Sequence, residues 1–155
     1  MRMRCIIAAF STLFTTGLAA AGGAPPTDAG FSFDIPAGAG CDFPVNWTVT
    51  GKSSVITLPG DRLIVASPQQ KVVVANLDAP SNTVSFVVTS ALHVSTDDNG
   101  DTIVVATGRS LLGDPVANTM LFVIGTFSWR FDPVDLALLD LSGKGQMADV
   151  CALIE

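Results

Sequence analysis

The sequence predicts an all-β fold, an antiparallel β-sandwich of about 8–9 short strands. Valine, a residue typical of strands, is the most frequent apolar residue after residue 21, in a chain that is 48% hydrophobic. Apolar and polar residues alternate with a period of two in the longer segments. Turn signals containing glycine, proline or asparagine recur about every ten residues from Cys41 onward. A small closed β-barrel has the same sequence pattern and is the alternative.

The N-terminal segment has the features of a secretory signal peptide. Residues 1–4 are a short basic start, residues 5–18 are mostly apolar, and residues 19–21 match a small-residue cleavage site. The apolar run is shorter than the roughly 20 residues that span a bilayer. We therefore expect a signal peptide at 1–21, a flexible leader rich in glycine, proline and alanine at 22–30, and a single secreted β domain at 31–155.

The first strands are predicted at residues 31–35 and 42–50, on either side of a break that contains glycine and proline. Residues 31–35 alternate apolar and polar side chains, as in an edge strand. The next strand has the pattern of a half-buried strand, because its apolar side chains all fall on one face. These side chains are Phe43, Val45, Trp47 and Val49. Shorter strands are predicted at residues 55–58, 63–66 and 71–75.

The second half of the chain contains the two longest predicted strands, residues 83–95 and 120–131. The first places Phe86, Val88, Leu92 and Val94 on one side, and the second places Leu121, Val123, Phe127, Trp129 and Phe131 on one face. An Asn-Gly pair within residues 97–101 predicts a tight hairpin turn leading to a strand at 102–107. Strands at 136–141 and 147–153 are expected to close the domain. Residues 110–118 and 134–139 could each form a turn of helix instead of a strand.

The chain is acidic. Because Arg2 and Arg4 leave with the signal peptide, the net charge changes from −6 for the whole chain to about −8 for the mature chain. Such a protein repels nucleic acid and anionic membranes, so neither partner is expected. After residue 21 no apolar stretch approaches the length of a membrane span. We expect a monomer whose extracellular partner or ligand the sequence does not identify.

The mature chain keeps two cysteines, Cys41 and Cys151. Only one pairing is possible, and an oxidising compartment favours it. The bridge closes a loop of about 110 residues, for which the chain-entropy relation gives about 4–5 kcal/mol. Two free thiols or an intermolecular disulfide are the alternatives.

Six short motifs follow one another along the mature chain. They are IPAGAGCDFPV (35–45), TGKSSVITLPGDR (50–62), VVVANLD (72–78), NGDTIVVATGRSLL (99–112), GTFSWRFD (125–132) and LSGKGQMADVCALI (141–154). In this order they resemble a family of small secreted proteins of unknown function, found in actinobacteria and in fungi. The resemblance implies an extracellular β-rich domain whose ends are tied by one disulfide. It implies no activity and no catalytic residues.

His93 is the only histidine in the chain. It falls on the polar face of the strand predicted at 83–95, so an exposed strand histidine is the simpler interpretation. A Ser-His-Asp set needs a serine on a sharp turn, and a zinc site needs three or four ligands. The aspartates lie mostly in turn-like contexts, which gives no pair of facing carboxylates for glycoside hydrolysis. We predict no catalytic residue, no cofactor-binding residue and no cofactor.

Asp97, Asp98 and Asp101 place three carboxylates within five residues. Calcium prefers oxygen ligands, so these residues are a candidate calcium site. Their spacing does not match the twelve-residue EF-hand loop with its terminal glutamate. A solvated hairpin turn is the simpler interpretation, and we predict no metal site beyond this candidate.

Three further residues are candidate binding or modification sites. Trp47 and Trp129 are candidates for stacking on a ligand such as a sugar, although both fall on the apolar side of their strands, which favours core packing. Asn46 begins the sequon Asn-Trp-Thr and lies on the outward face, so it is a candidate glycosylation site in a host that glycosylates.

These observations predict a secreted, non-catalytic structural or interaction protein. An extracellular binding module for carbohydrate or for a small apolar ligand is the alternative. It requires solvent-facing tryptophans or an unfilled interior. A hydrolase is the third function class considered, and the motifs favour it least.

Overall fold

The valine-rich segments pair into one antiparallel sheet. The computed structural model describes residues 25–114, 116–132, 134 and 138–155, so the predicted signal peptide lies outside the described residues. The described residues form nine strands and one short helix, and the predicted all-β class is confirmed. These elements are β1 (Thr27–Asp28), β2 (Phe31–Ile35), β3 (Val45–Thr50), β4 (Lys52–Leu58), β5 (Arg62–Asn76), β6 (Thr83–Thr96), β7 (Thr102–Asp114), β8 (Thr119–Phe131), β9 (Leu138–Asp149) and α1 (Val150–Ile154).

The sheet is open and is built almost entirely from neighbouring hairpins. Its strand order is β1-β4-β5-β6-β7-β8-β9, and β3 lies beside β4 along the same edge of β5, with β2 outside it. Within the described part of the chain no pairing joins the two ends of this path, so the alternative of a closed barrel is wrong.

The sheet divides into two layers at one end. β6 pairs with β7 only from Thr89↔Arg109 to Thr96↔Thr102, so their other halves separate. Beyond that point β2, β3, β5 and β6 form a first layer, and β7, β8 and β9 form a second. The rings of Phe86 and Phe122 stack across the gap with centroids 4.3 Å apart. This arrangement agrees with the predicted sandwich, made here from one sheet that folds over.

A row of glycines crosses the second layer where the strands bend. Gly108 is registered with Gly125, and Gly125 with Gly145. Gly108 and Gly125 have φ values of 102° and 142°, a region that favours glycine. A Cβ atom on Gly108 would collide with the carbonyl oxygen of Thr89 on β6. Glycine therefore permits both the bend and the close approach of neighbouring backbones.

The apolar faces predicted from the sequence form two core clusters. The first lies between the layers and contains the fully buried Val45, Val74 and Met120, with Trp47 and Phe122 packed against it. The second contains Phe127 and Trp129, and Leu121 and Phe131 pack against it. The shared face predicted for residues 121–131 is thus confirmed, because period-two alternation in a strand sends these side chains to one side.

The C-terminus departs from the prediction. Instead of a strand reaching residue 153, β9 ends at Asp149 and a short helix follows. The Asp149 carboxylate accepts hydrogen bonds from the backbone N–H groups of Cys151 (2.9 Å) and Ala152 (3.3 Å), which starts the helix. Val150 and Ile154, four residues apart on one helical face, are buried in the first core cluster. Cys41 and Cys151 form a disulfide with Cα atoms 5.6 Å apart, as predicted.

Other segments also differ from their predictions. The strands predicted at 63–66 and 71–75 are halves of one long strand, β5, whose register shifts between Ser67 and Gln70. Pro68 lies inside this irregularity, where a missing backbone N–H costs no ladder hydrogen bond. The leader predicted at 22–30 is in part ordered, because Thr27 and Asp28 pair with β4 as β1.

Candidate functional site

An apolar cavity of about 130 Å³ lies where the two layers part. β6 and β7 stop pairing at Thr89 and Arg109, and the cavity occupies the space that opens beside this point. The irregularity in β5 moves the backbone there and leaves Ser67 and Gln70 in the wall. The cavity therefore lies where the pairing between β6 and β7 ends, next to the irregularity in β5.

Seven of the lining side chains are apolar and none of the described lining residues carries a charge. Strands β2, β3 and β5 supply Phe31, Trp47, Val49 and Val72, β6 supplies Val88 and Leu92, and β7 supplies Leu111. The polar members are Ser67, Gln70, Ser90 and Ser110. Most of the wall thus offers dispersion contacts to an apolar molecule, and four side chains add polar atoms.

Two of the lining residues have buried polar atoms without a hydrogen-bond partner among the described residues: Trp47 Nε1 and Ser110 Oγ. Ser110 is 3% exposed, so water at the outer surface does not reach it. Most buried polar groups in folded proteins are paired, because leaving one unpaired costs free energy. Both atoms belong to residues that line the cavity, but both are enclosed by neighbouring protein atoms and neither opens onto the cavity itself.

Aromatic rings extend the apolar wall to the protein surface. Phe31 lines the cavity yet is 52% exposed, so it stands at the entrance. Its ring stacks on Phe33 at 5.8 Å, and Phe33 stacks on Trp47 at 6.0 Å. β2 is an edge strand that pairs only with β3 in the described structure, and Phe31 and Phe33 are both exposed there. Three stacked aromatic rings, two of which line the cavity, therefore join its wall to the exposed surface.

A second, polar depression lies beside α1 and the disulfide. It is lined by Asp42, Asn118, Asp149 and Glu155, among others. Asn118 already donates to the Asp42 carboxylate (2.6 Å), and Asp149 caps the helix. In the part of the chain that the structure describes, no three His, Cys, Asp or Glu side chains converge as metal ligands would. The carboxylates of Asp42 and Asp149 thus have structural partners.

His93 lies on the exposed face of β6, between Ile64 of β5 and Val105 of β7. Neither neighbour carries a group that accepts or donates a proton. The structure thus places the only histidine away from the cavity and on the face where alternation predicted it.

The acidic turn is organised by its own backbone and by an arginine. Asp97 accepts hydrogen bonds from the backbone N–H groups of Asn99 (2.9 Å) and Asp101 (3.0 Å), and Gly100 has a φ of 92°. Arg130 approaches Asp97 at 3.8 Å and Asp101 at 3.6 Å. A calcium ion at Asp97, Asp98 and Asp101 would have to compete with this arginine, so the geometry favours the hairpin-turn interpretation.

The two tryptophans have different environments. Trp129 is 4% exposed in the second core cluster, so its ring faces side chains rather than solvent. Trp47 is half-buried and lines the cavity. Asn46, on the outer face of the same strand, donates to the Asp34 carboxylate (2.7 Å) and to Ser32 (3.2 Å). A glycan on Asn46 would replace these contacts.

Sequence reasoning named Trp47 but missed Ser110, Leu111 and Phe31 as parts of one site. Ser110 is one of many serines, and no motif distinguishes it. The one signal that points to the site is Gly108, whose conformation bends β7 just before these residues.

The chain matches no protein-family model, no curated protein and no solved structure. The family resemblance of its six motifs therefore stays a prediction. Of the residues described here, none belongs to a helix long and apolar enough to cross a bilayer.

Proposed function

We propose that the mature chain is a non-catalytic extracellular protein that binds a small apolar ligand between its layers. The observation that carries this proposal is the cavity of about 130 Å³ with its mostly apolar wall. Cavities of about 150 Å³ lined by apolar side chains bind benzene, so the ligand has about six to eight non-hydrogen atoms. Of the two non-catalytic roles that the sequence predicts, the cavity favours the binding module.

The expected affinity follows from the ligand surface that binding removes from water. Burying about 200 Å² of apolar surface at about 25 cal/mol per Å² yields about 5 kcal/mol. That free energy corresponds to a dissociation constant of about 0.2 mM. The exposed rings of Phe31 and Phe33 support the proposal because they extend the apolar surface to the entrance.

Thermal unfolding with toluene as the probe tests the proposal. At about 2 mM toluene, mass action predicts about 1.4 kcal/mol of stabilisation and a rise of about 4 °C in Tm. Val88→Phe fills the cavity and should abolish the rise. Val87→Phe is the matched control, because Val87 lies on the opposite face of β6 and is 45% exposed. If Val88→Phe does not fold, Ser90→Leu fills the same space.

An unchanged Tm of the parent protein with toluene and with other molecules of this size would refute the binding proposal. The structural role predicted from the sequence would then be the better explanation. Turnover of a hydrolase substrate, abolished by one aspartate substitution, would contradict the non-catalytic part.

Export is a separate part of the proposal. The disulfide between Cys41 and Cys151 supports it, because such bonds persist in oxidising compartments. The intact mass of protein from culture medium should match a chain that begins after Ala21 and lacks two hydrogens relative to the dithiol. A product that retains residues 1–21, or whose cysteines react with alkylating reagent before reduction, would contradict it.

A further inference from the structure

We infer that Met147 is a modification site, at which hydroperoxides oxidise the thioether to the sulfoxide while the protein stays folded. Met147 lies on β9 and does not line the cavity, so this inference is independent of the proposed ligand binding. It is carried by the different environments of the sulfur atoms that follow residue 21.

Four residues after residue 21 contain sulfur. Cys41 and Cys151 are joined in the disulfide, so neither presents a thiol to an oxidant. Met120 is 0% exposed and belongs to the first core cluster, whereas Met147 is 57% exposed. Met147 is therefore the one thioether of these residues that a dissolved oxidant reaches without an opening of the fold.

The exposure of Met147 follows from its place at the end of the sheet. Met147 is registered with Val123 of β8, and among the described strands β9 has no neighbour on its other side. The residue two positions earlier, on the same face of the strand, is Gly145, which has no side chain to cover the thioether. Met120 instead lies between the two layers, where side chains from both enclose it.

The oxidation needs no catalytic residue. A lone pair of the Met147 sulfur attacks one oxygen of the hydroperoxide, the O–O bond breaks and an S–O bond forms. The proton of the attacked oxygen passes to the departing oxygen, so the sulfur is oxidised and the hydroperoxide is reduced to water or an alcohol. The sulfoxide is more polar than the thioether, and an exposed position accommodates it without burying a polar group.

Hydrogen peroxide followed by peptide mass mapping tests the inference. Cleavage after lysine and arginine places Met147 in the peptide 145–155 and Met120 in the peptide 110–130. In the folded, disulfide-bonded protein, Met147 should gain oxygen at least about a hundredfold faster than Met120, because a buried methionine reacts only when the core opens. In concentrated urea the two rates should become similar, because both thioethers are then exposed.

Two variants assign the rapid reaction to one residue. Met147→Leu should abolish the rapid gain of oxygen, and Met120→Leu is the matched control that should retain it. The Tm of the protein oxidised at Met147 should lie within about 2 °C of the parent value, as for other surface changes. Any response of the parent protein to toluene should also be retained.

Similar rates at the two methionines of the folded protein, or no gain of oxygen in the peptide 145–155, would overturn the inference. A fall in Tm of more than about 5 °C on oxidation of Met147 would overturn the statement that the protein stays folded around the sulfoxide. Neither result bears on the proposed ligand binding, since absence of a toluene response in the unoxidised protein tests that separately.

Discussion

Replacing Gly108 with alanine should destabilise the protein more than any other single glycine-to-alanine change on β7. Gly108 combines two constraints: a φ of 102° and a neighbouring backbone, that of Thr89, so close that a Cβ atom would collide with it. Two other glycines separate these constraints. Gly100 has a φ of 92° with open space around it, and Gly113 has open space and no positive φ.

The three substitutions should give three different losses of unfolding free energy. Gly113→Ala should change stability by less than about 1 kcal/mol, and in the stabilising direction, because alanine restricts the unfolded chain. Gly100→Ala should cost about 1–2 kcal/mol, the cost of a left-handed conformation for a residue with a Cβ atom. Gly108→Ala adds the displacement of Thr89, so about 3–5 kcal/mol is expected, a large part of a typical domain's stability.

Urea unfolding followed by tryptophan fluorescence measures all three free energies. Gly100→Ala and Gly113→Ala should retain the parent m-value, because neither substitution should change the surface area that unfolding exposes. A loss in Gly108→Ala no greater than that in Gly100→Ala would refute the close approach of β6 and β7. A loss in Gly113→Ala equal to that in Gly108→Ala would refute the assignment of the bend to the glycine row.

Two further predictions concern the C-terminal helix. Asp149→Ala should lower the free energy of unfolding in urea by about 1 kcal/mol, because it removes the oxygen that accepts from two N–H groups at the start of α1. Asp140 is an exposed aspartate on the same strand, and Asp140→Ala should cost less than about 0.5 kcal/mol. Equal losses in the two variants would contradict the role of Asp149 as the helix cap. Replacing both cysteines of the disulfide with alanine should cost about 4–5 kcal/mol, because 110 residues separate them. A change below about 1 kcal/mol would show that the disulfide does not restrict the unfolded chain.

Most of the strands follow from local sequence. The apolar face of β8 and the turn at residues 97–101 are predicted correctly, since alternation and an Asn-Gly pair report on neighbouring residues alone. The end of β9 was mispredicted because Val150 and Cys151 favour strands by type. There the side chain of Asp149 and the burial of Val150 and Ile154 outweigh that preference.

The candidate site was less predictable. Trp47 was named for its ring, but its partners Phe31 and Ser110 lie 16 and 63 positions away in sequence. They come together only because β2 pairs with β3 and β7 bends at Gly108. Ser110 became notable through its unpaired hydroxyl, a property that depends on every neighbour around it.

The sequence by itself determined the all-β class and left Cys41 and Cys151 as the one possible intramolecular cysteine pair, because alternation, turn residues and a cysteine count are local or countable properties. The tertiary structure decided that the sheet stays open, that it folds into two layers and that a cavity remains between them. The physical reason is that closure and layering depend on where long strands bend and which pairings stop, and those depend on contacts between backbones far apart in the chain.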